Sequence, residues 1–217
     1  MYRVLDMIQM GKSLVINCSL NRLAKIEELF KTIRKFGECK SVQFRDIHAG
    51  YDVEKNINAV VLSGSKARIV DPSHREMFRE IIDLINRLDV PTLGICHGHQ
   101  LICWSLGCKV ASLDEPVEDM FEEVRVLEVD EIFEGFEEHQ TICLAQSHYD
   151  YVMKDSLDLA DLVLLADSPS CEVEAVRHKH IPLYGVQFHP ERIKIKGQTS
   201  LEGYKIIENF FKNVVKR

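Results

Sequence analysis

"PTLGICHGHQLICWSLG", Pro91 to Gly107, reads as a short buried strand, a tight turn and a helix. "PTLGIC" has the near-continuous apolar character of a strand covered on both faces, and "HQLICWSL" continues as a helix that Gly107 stops. A strand running straight into a helix points to a parallel sheet, because parallel neighbours need a crossover connection.

The flanking segments repeat this alternation. "SLVINC", Ser13 to Cys18, is a β-branched strand, and Leu20, Leu23, Ile26, Leu29, Phe30 and Ile33 follow on one helical face that ends near Gly37. "SVQF", Ser41 to Phe44, and "INAVVLSG", Ile57 to Gly64, are further strands. Met77, Phe78, Ile81, Ile82, Ile85 and Leu88 then mark an amphipathic helix opened by the start signal Asp71-Pro72-Ser73.

From Lys109 the pattern turns strand-rich, with "FEEVRVLEV", "TICLAQ", "LVLLAD", "VEAVRH" and "PLYGVQF". A helix from about Leu201 closes the chain, with Tyr204, Ile207, Phe210, Phe211 and Val214 on its apolar side. The pattern predicts an α/β protein with a central, mostly parallel sheet flanked by helices. With no repeat, low-complexity segment or linker, residues 1–217 are expected to form one domain.

Composition narrows the function. The 217 residues are 46% hydrophobic and 28% charged, an ordinary balance for a soluble globular protein. A net charge of -7 argues against general nucleic-acid affinity, and no apolar run approaches a membrane span. Seven cysteines without repeated short spacings do not form a disulfide framework, and "MYRVLDMIQMG" lacks the apolar core of a secretory signal. A reducing cytoplasm is the expected location.

The chemistry centres on Cys96. Gly94-Ile95-Cys96-His97-Gly98 follows the G-x-nucleophile-x-G elbow, with cysteine in the serine position at the carboxyl end of a strand. The backbone N–H of His97 and the positive end of the following helix would favour a thiolate and an oxyanion. The same pattern also suits a buried cysteine packed before a helix. "YGVQFHPERI" supplies the context: His189 follows an apolar strand and Glu191 lies two residues on. A thiol nucleophile needs a base and a third group that orients the imidazole, and all three types are present.

With "GICHGHQ" and "VQFHPE" in this order, the chain resembles the class I glutamine amidotransferases, from the Ile57 strand to the last helix. The resemblance implies a flavodoxin-like architecture with a strand-rich second half. It also implies hydrolysis of L-glutamine to glutamate and ammonia, which a separate synthetase consumes. By the same resemblance Cys96 is the nucleophile, His189 the base and then acid, Glu191 the orienting carboxylate, and Gln100 a substrate contact. "AQSHYDYV" is similar to the family's Ser-His-x-Asp stretch, making Ser147 and Tyr149 further substrate contacts. That form, with "TSLEGYKIIENFF", is most similar to the glutaminase part of GMP synthetases.

Two departures stand out. "LSGSKARI" puts Ser65 and Lys66 where the family has glycine and proline, so the second oxyanion donor beside His97 would be the N–H of Ser65, provided its backbone adopts suitable angles. "RIKIKGQ", Arg192 to Gln198, lengthens the connection to the last helix. No cofactor is expected, and no ligand spacing completes a zinc set around His97 and His99 or His178 and His180. Without a Walker A pattern or dinucleotide fingerprint, ammonia would be used by another polypeptide. The rival readings are a partner-independent γ-glutamyl hydrolase and a non-catalytic glutamine-binding module.

Overall fold

Alternating burial along the strands defines two sheet faces, and the helices cover both. In the computed structural model, which describes residues 11–21 and 26–216, the first unit is β1 (Lys12–Asn17), α1 (Glu27–Ile33) and β2 (Cys39–Gln43). Next come β3 (Ile57–Leu62), α2 (Pro72–Met77), α3 (Arg79–Ile85), β4 (Thr92–Ile95) and α4 (His97–Ser105). The strand-rich part contains β5 (Val110–Val126), β6 (Thr141–Val152), β7 (Leu162–Asp167), β8 (Ala175–His178) and β9 (Leu183–Val186). A two-stranded hairpin, β10 (Lys194–Ile195) with β11 (Gln198–Thr199), precedes α5 (Glu202–Asn209), which runs on into a π-helical turn, Phe210–Val214. Leu23 of the predicted first helix, residues 1–10 and Arg217 lie outside the described residues.

One sheet runs in the order β2-β1-β3-β4-β9-β8-β7-β5-β6. The pairings among β2, β1, β3, β4 and β9 are parallel, whereas those from β9 through β8, β7 and β5 to β6 are antiparallel. The expected parallel dominance therefore holds only for the first half. Segments after Lys109 follow one another without intervening long helices, and such short connections produce antiparallel neighbours.

Val15, Ala59, Val61, Leu93 and Ile95 pack with α1 and with Ile206, Ile207, Phe210 and Phe211 at the C-terminus. Leu14, Ile16, Val60 and Leu62 project to the opposite face against α3 and α4. The period of two along each strand is the physical origin of the two layers. The helix predicted after Asp71 is broken at Phe78 (φ -103°, ψ 9°), whose side chain is fully buried against Phe44. The break also leaves Met77, expected on the apolar face, 41% exposed.

No disulfide joins the seven cysteines. Among the described residues no helix is long and apolar enough to cross a membrane, and no group of three or more His, Cys, Asp or Glu is placed to hold a metal ion.

Candidate active site

The carboxyl ends of β3, β4 and β9 converge, and each delivers one part of the site. Cys96 follows β4 directly, with φ 51° and ψ -106°, a conformation that costs on the order of 1–3 kcal/mol for a non-glycine residue. Its N–H is satisfied by the Val186 carbonyl at 2.8 Å, which ties the bend to the end of β9. The elbow glycines are required by close approach. A Cβ on Gly94 would sit 2.5 Å from the Gly98 backbone, and one on Gly98 would sit 2.5 Å from the Leu62 carbonyl oxygen. The two glycines let α4 fold back tightly over β3 and β4.

His189 lies just beyond β9, where its N–H donates to the Ala145 carbonyl of β6 at 2.7 Å. Its Nδ1 is 2.9 Å from Glu191 Oε1, and both side chains are mostly buried. Burial alone would push the His189 pKa down. Glu191 and then Cys96, by charge and by hydrogen bonding, overcome that and raise it to about 10. The neighbouring histidines behave in the opposite way: burial lowers His97 and His99 to about 3 and His148 to about 4. His189 is thus the imidazole held as a cation next to a thiol, the arrangement that can deliver a proton to a departing amine.

Gly64, at the end of the β3 loop, completes this contact. A Cβ there would come 2.8 Å from His189 Cε1 and 3.6 Å from Cys96 Cβ. Ser65 follows. It is absent from the residues with positive φ, so serine occupies this position without left-handed strain. Its hydroxyl accepts the Ala67 N–H at 3.0 Å. Among the described residues, neither the Ser65 N–H nor the His97 N–H donates to a protein acceptor, so both are available at the first turn of α4 and its facing loop.

The sheet curls so that β6, its far edge, returns to the site. Cys96 Sγ lies 3.6 Å from the Ser147 carbonyl oxygen. "SHYDY" is therefore part of a strand, with Ser147 and Tyr149 on one face and Gln146, His148 and Asp150 buried on the other. Tyr149 is 38% exposed and its hydroxyl bonds Glu118. Gln100 is buried, and its Nε2 donates to the Asp150 carbonyl at 2.8 Å and to Gln187 Oε1 at 3.0 Å. Any substrate contact by Gln100 would fall to its Oε1.

The "RIKIKGQ" segment forms the β10–β11 hairpin, turning at Lys196 and Gly197. Arg192 reaches Asp119, on an irregular stretch of β5, at 2.9 Å. His178 and His180 stack edge to face away from the site, with His178 Nδ1 accepting the His180 N–H at 3.1 Å. Sequence reasoning missed the ion pair of Arg68 with buried Asp150 and the buried carboxyl of Glu174. The signal available was a charged residue inside an otherwise apolar or strand-like segment.

Residues 22–214 match the family described as glutamine amidotransferase class-I. The chain belongs to the class I glutamine amidotransferases. Family members with similar sequences include the glutamine-hydrolyzing subunit of the GMP synthase of Methanopyrus kandleri, 41% identical over 140 residues, which are 64% of this chain and 70% of that protein. The corresponding GMP synthase subunit of Methanothermobacter thermautotrophicus is 38% identical over 132 residues, 60% of this chain and 64% of its own length. Among solved amidotransferase structures, a putative GMP synthase subunit from Thermoplasma acidophilum superposes with a TM-score of 0.77 at 26% identity, covering 94% of this chain and 93% of that one. A glutamine amidotransferase from Thermotoga maritima shares the fold, with a TM-score of 0.67 at 19% identity over 84% of this chain and 77% of its own.

Proposed function

We propose that this amidotransferase hydrolyses L-glutamine through a Cys96 thioester and passes the ammonia to a separate synthetase subunit of the GMP synthase type. The observation that carries the reading is the strained Cys96 elbow facing a His189 imidazolium that Glu191 holds at 2.9 Å. Cys96 Sγ attacks the side-chain amide carbon of glutamine. The resulting oxyanion is held by the N–H groups of His97 and Ser65, aided by the positive end of α4. His189 gives its proton to the amide nitrogen as the C–N bond breaks, releasing ammonia and leaving a γ-glutamyl thioester. His189, now neutral, takes a proton from water as the water attacks the thioester. Glutamate leaves and the Cys96 thiolate returns.

The names of the relatives support the GMP synthase assignment, and the lack of a nucleotide-binding fingerprint fits a divided enzyme. Ser147 and Tyr149 on β6, with Gln100 behind them, border the space where the amino-acid end of the substrate would lie. Glutamate production should be stimulated by the synthetase and abolished by Cys96→Ala. Equal activity with and without any synthetase would favour the free γ-glutamyl hydrolase, and glutamine binding without turnover in its presence would favour the non-catalytic module.

A further inference from the structure

The loop that carries Ser65 has no regular secondary structure, yet it is anchored at both ends. At its start, the Ser63 N–H donates to the Ile16 carbonyl at 3.1 Å and the Ser63 hydroxyl accepts the Cys18 N–H at 2.9 Å. At its far end stands Arg68. Its Nε and Nη2 both reach Asp150 Oδ1, at 3.0 and 2.5 Å, and Nη2 also donates to Ser112 Oγ at 2.7 Å. The Arg68 backbone N–H is fixed as well, donating to His74 Nδ1 at 3.1 Å.

Asp150 joins these contacts to the rest of the site. It is 2% exposed, and its backbone carbonyl receives Gln100 Nε2 from α4 at 2.8 Å and lies 3.2 Å from His148 Nδ1. Three residues earlier on the same strand, the Ser147 carbonyl meets Cys96 Sγ. One ion pair therefore links the loop after β3, the helix behind the nucleophile and the strand beside it. A buried carboxylate whose cation is removed is left uncompensated, so the linkage has a strong preference for the closed arrangement.

We infer that Arg68, through Asp150, is a positioning residue that sets the Ser65 N–H against the oxyanion formed at Cys96. The inference rests on the glutaminase reading and specifies how one half of its oxyanion hole is held. A donor aligned only with the transition state affects kcat more than substrate affinity. The Arg68 side chain itself need not touch substrate.

The test compares Arg68→Ala, Arg68→Lys, Asp150→Asn and the Arg68→Ala/Asp150→Asn double variant in the full chain with its synthetase. Glutamine kcat and KM are measured beside the rate at which iodoacetamide alkylates Cys96, a reaction that needs the thiolate but no oxyanion hole. Arg68→Ala should lose at least tenfold in kcat with KM within threefold and alkylation within twofold. Arg68→Lys should recover part of the loss, and the double variant should be no worse than Arg68→Ala, because the two residues act as one unit. If Arg68→Ala does not fold, Arg68→Lys decides, with a kcat loss of at least threefold at unchanged alkylation expected. The inference is overturned if kcat stays within twofold, if only KM changes, or if alkylation falls in parallel with kcat. In those cases wild-type turnover still supports the glutaminase reading, whereas a wild-type chain that turned over no glutamine would overturn both.

Discussion

Replacing Glu191 by glutamine keeps the shape of the side chain and removes the charge that opposes His189. The difference between the ordinary histidine value of 6.5 and about 10 corresponds to about 5 kcal/mol of preference for the imidazolium. Two unit charges at the 2.9 Å separation of Nδ1 and Oε1 attract by about 6 kcal/mol at an effective dielectric of about 20, enough to outweigh the burial of the ring. Cys96 supplies the rest of the opposition to burial. If Glu191→Gln removes half of the preference, the loss is about 2.5 kcal/mol, and the loss of the imidazolium moves down by about two pH units.

The sign follows from the raised pKa. The proton needed for ammonia departure is present below the folded value and is lost as pH rises through it, so lowering that value brings the loss to lower pH. Activity of the wild type should hold toward pH 10, whereas Glu191→Gln should lose it near pH 8, and at pH 9 the variant should be slower by at least tenfold. Glutamate formation is quantified by mass spectrometry across the pH range, with circular dichroism to confirm folding at each point. The limb belongs to the coupled Cys96–His189 pair, so its displacement between the two proteins is the quantity compared. Superimposable high-pH limbs would refute the claim that Glu191 holds the proton on His189.

Other perturbations probe the surroundings. Gly64→Ala places a Cβ 2.8 Å from His189 Cε1 and should lower kcat by roughly ten- to a hundredfold by displacing the imidazole, with the far-ultraviolet spectrum unchanged; full activity would mean that His189 has room to move. Ser65→Gly keeps the N–H but loses the hydroxyl that accepts from Ala67, so kcat should change by less than about fivefold in steady-state assays, and a larger loss would assign the hydroxyl a direct role. Glu174, fully buried and accepting from Gln146 Nε2 and Ser168 Oγ at 2.7 Å each, is pushed up from 4.5 to about 8, chiefly by burial. The folded state therefore keeps a proton that the unfolded chain has lost, and stability falls as pH rises from about 4.5 to 8. Glu174→Gln should remove this fall, worth on the order of a few kcal/mol, which melting temperatures at pH 5 and pH 8.5 would reveal.

The triad was legible because each half occupies a short contiguous motif at a strand end, where a parallel sheet gathers its functional groups. The two faces of β1 and β3 were legible for a similar reason, since alternation is a local signal. The early start of β5 was not legible: Asp114, Glu115, Glu118 and Asp119 lie on its irregular, solvent-facing stretch and hide the strand pattern. The break at Phe78 was hidden because its aromatic side chain suits a continuous apolar helix face. Arg68 and Asp150 are 82 residues apart, and no local periodicity reports a pairing made only when the sheet curls β6 back over the site.

The most direct test sets chemistry against exposure. Cys143 is the exposed thiol, while Cys96 is only 4% accessible, so a reagent governed by access alone would modify Cys143 first. A diazoketone analogue of glutamine, incubated with the chain and its synthetase and located by peptide mass spectrometry, should instead modify Cys96 stoichiometrically, with free glutamine protecting it. Modification that appears first at Cys143, or that glutamine does not slow, would contradict the assignment of Cys96 as the nucleophile.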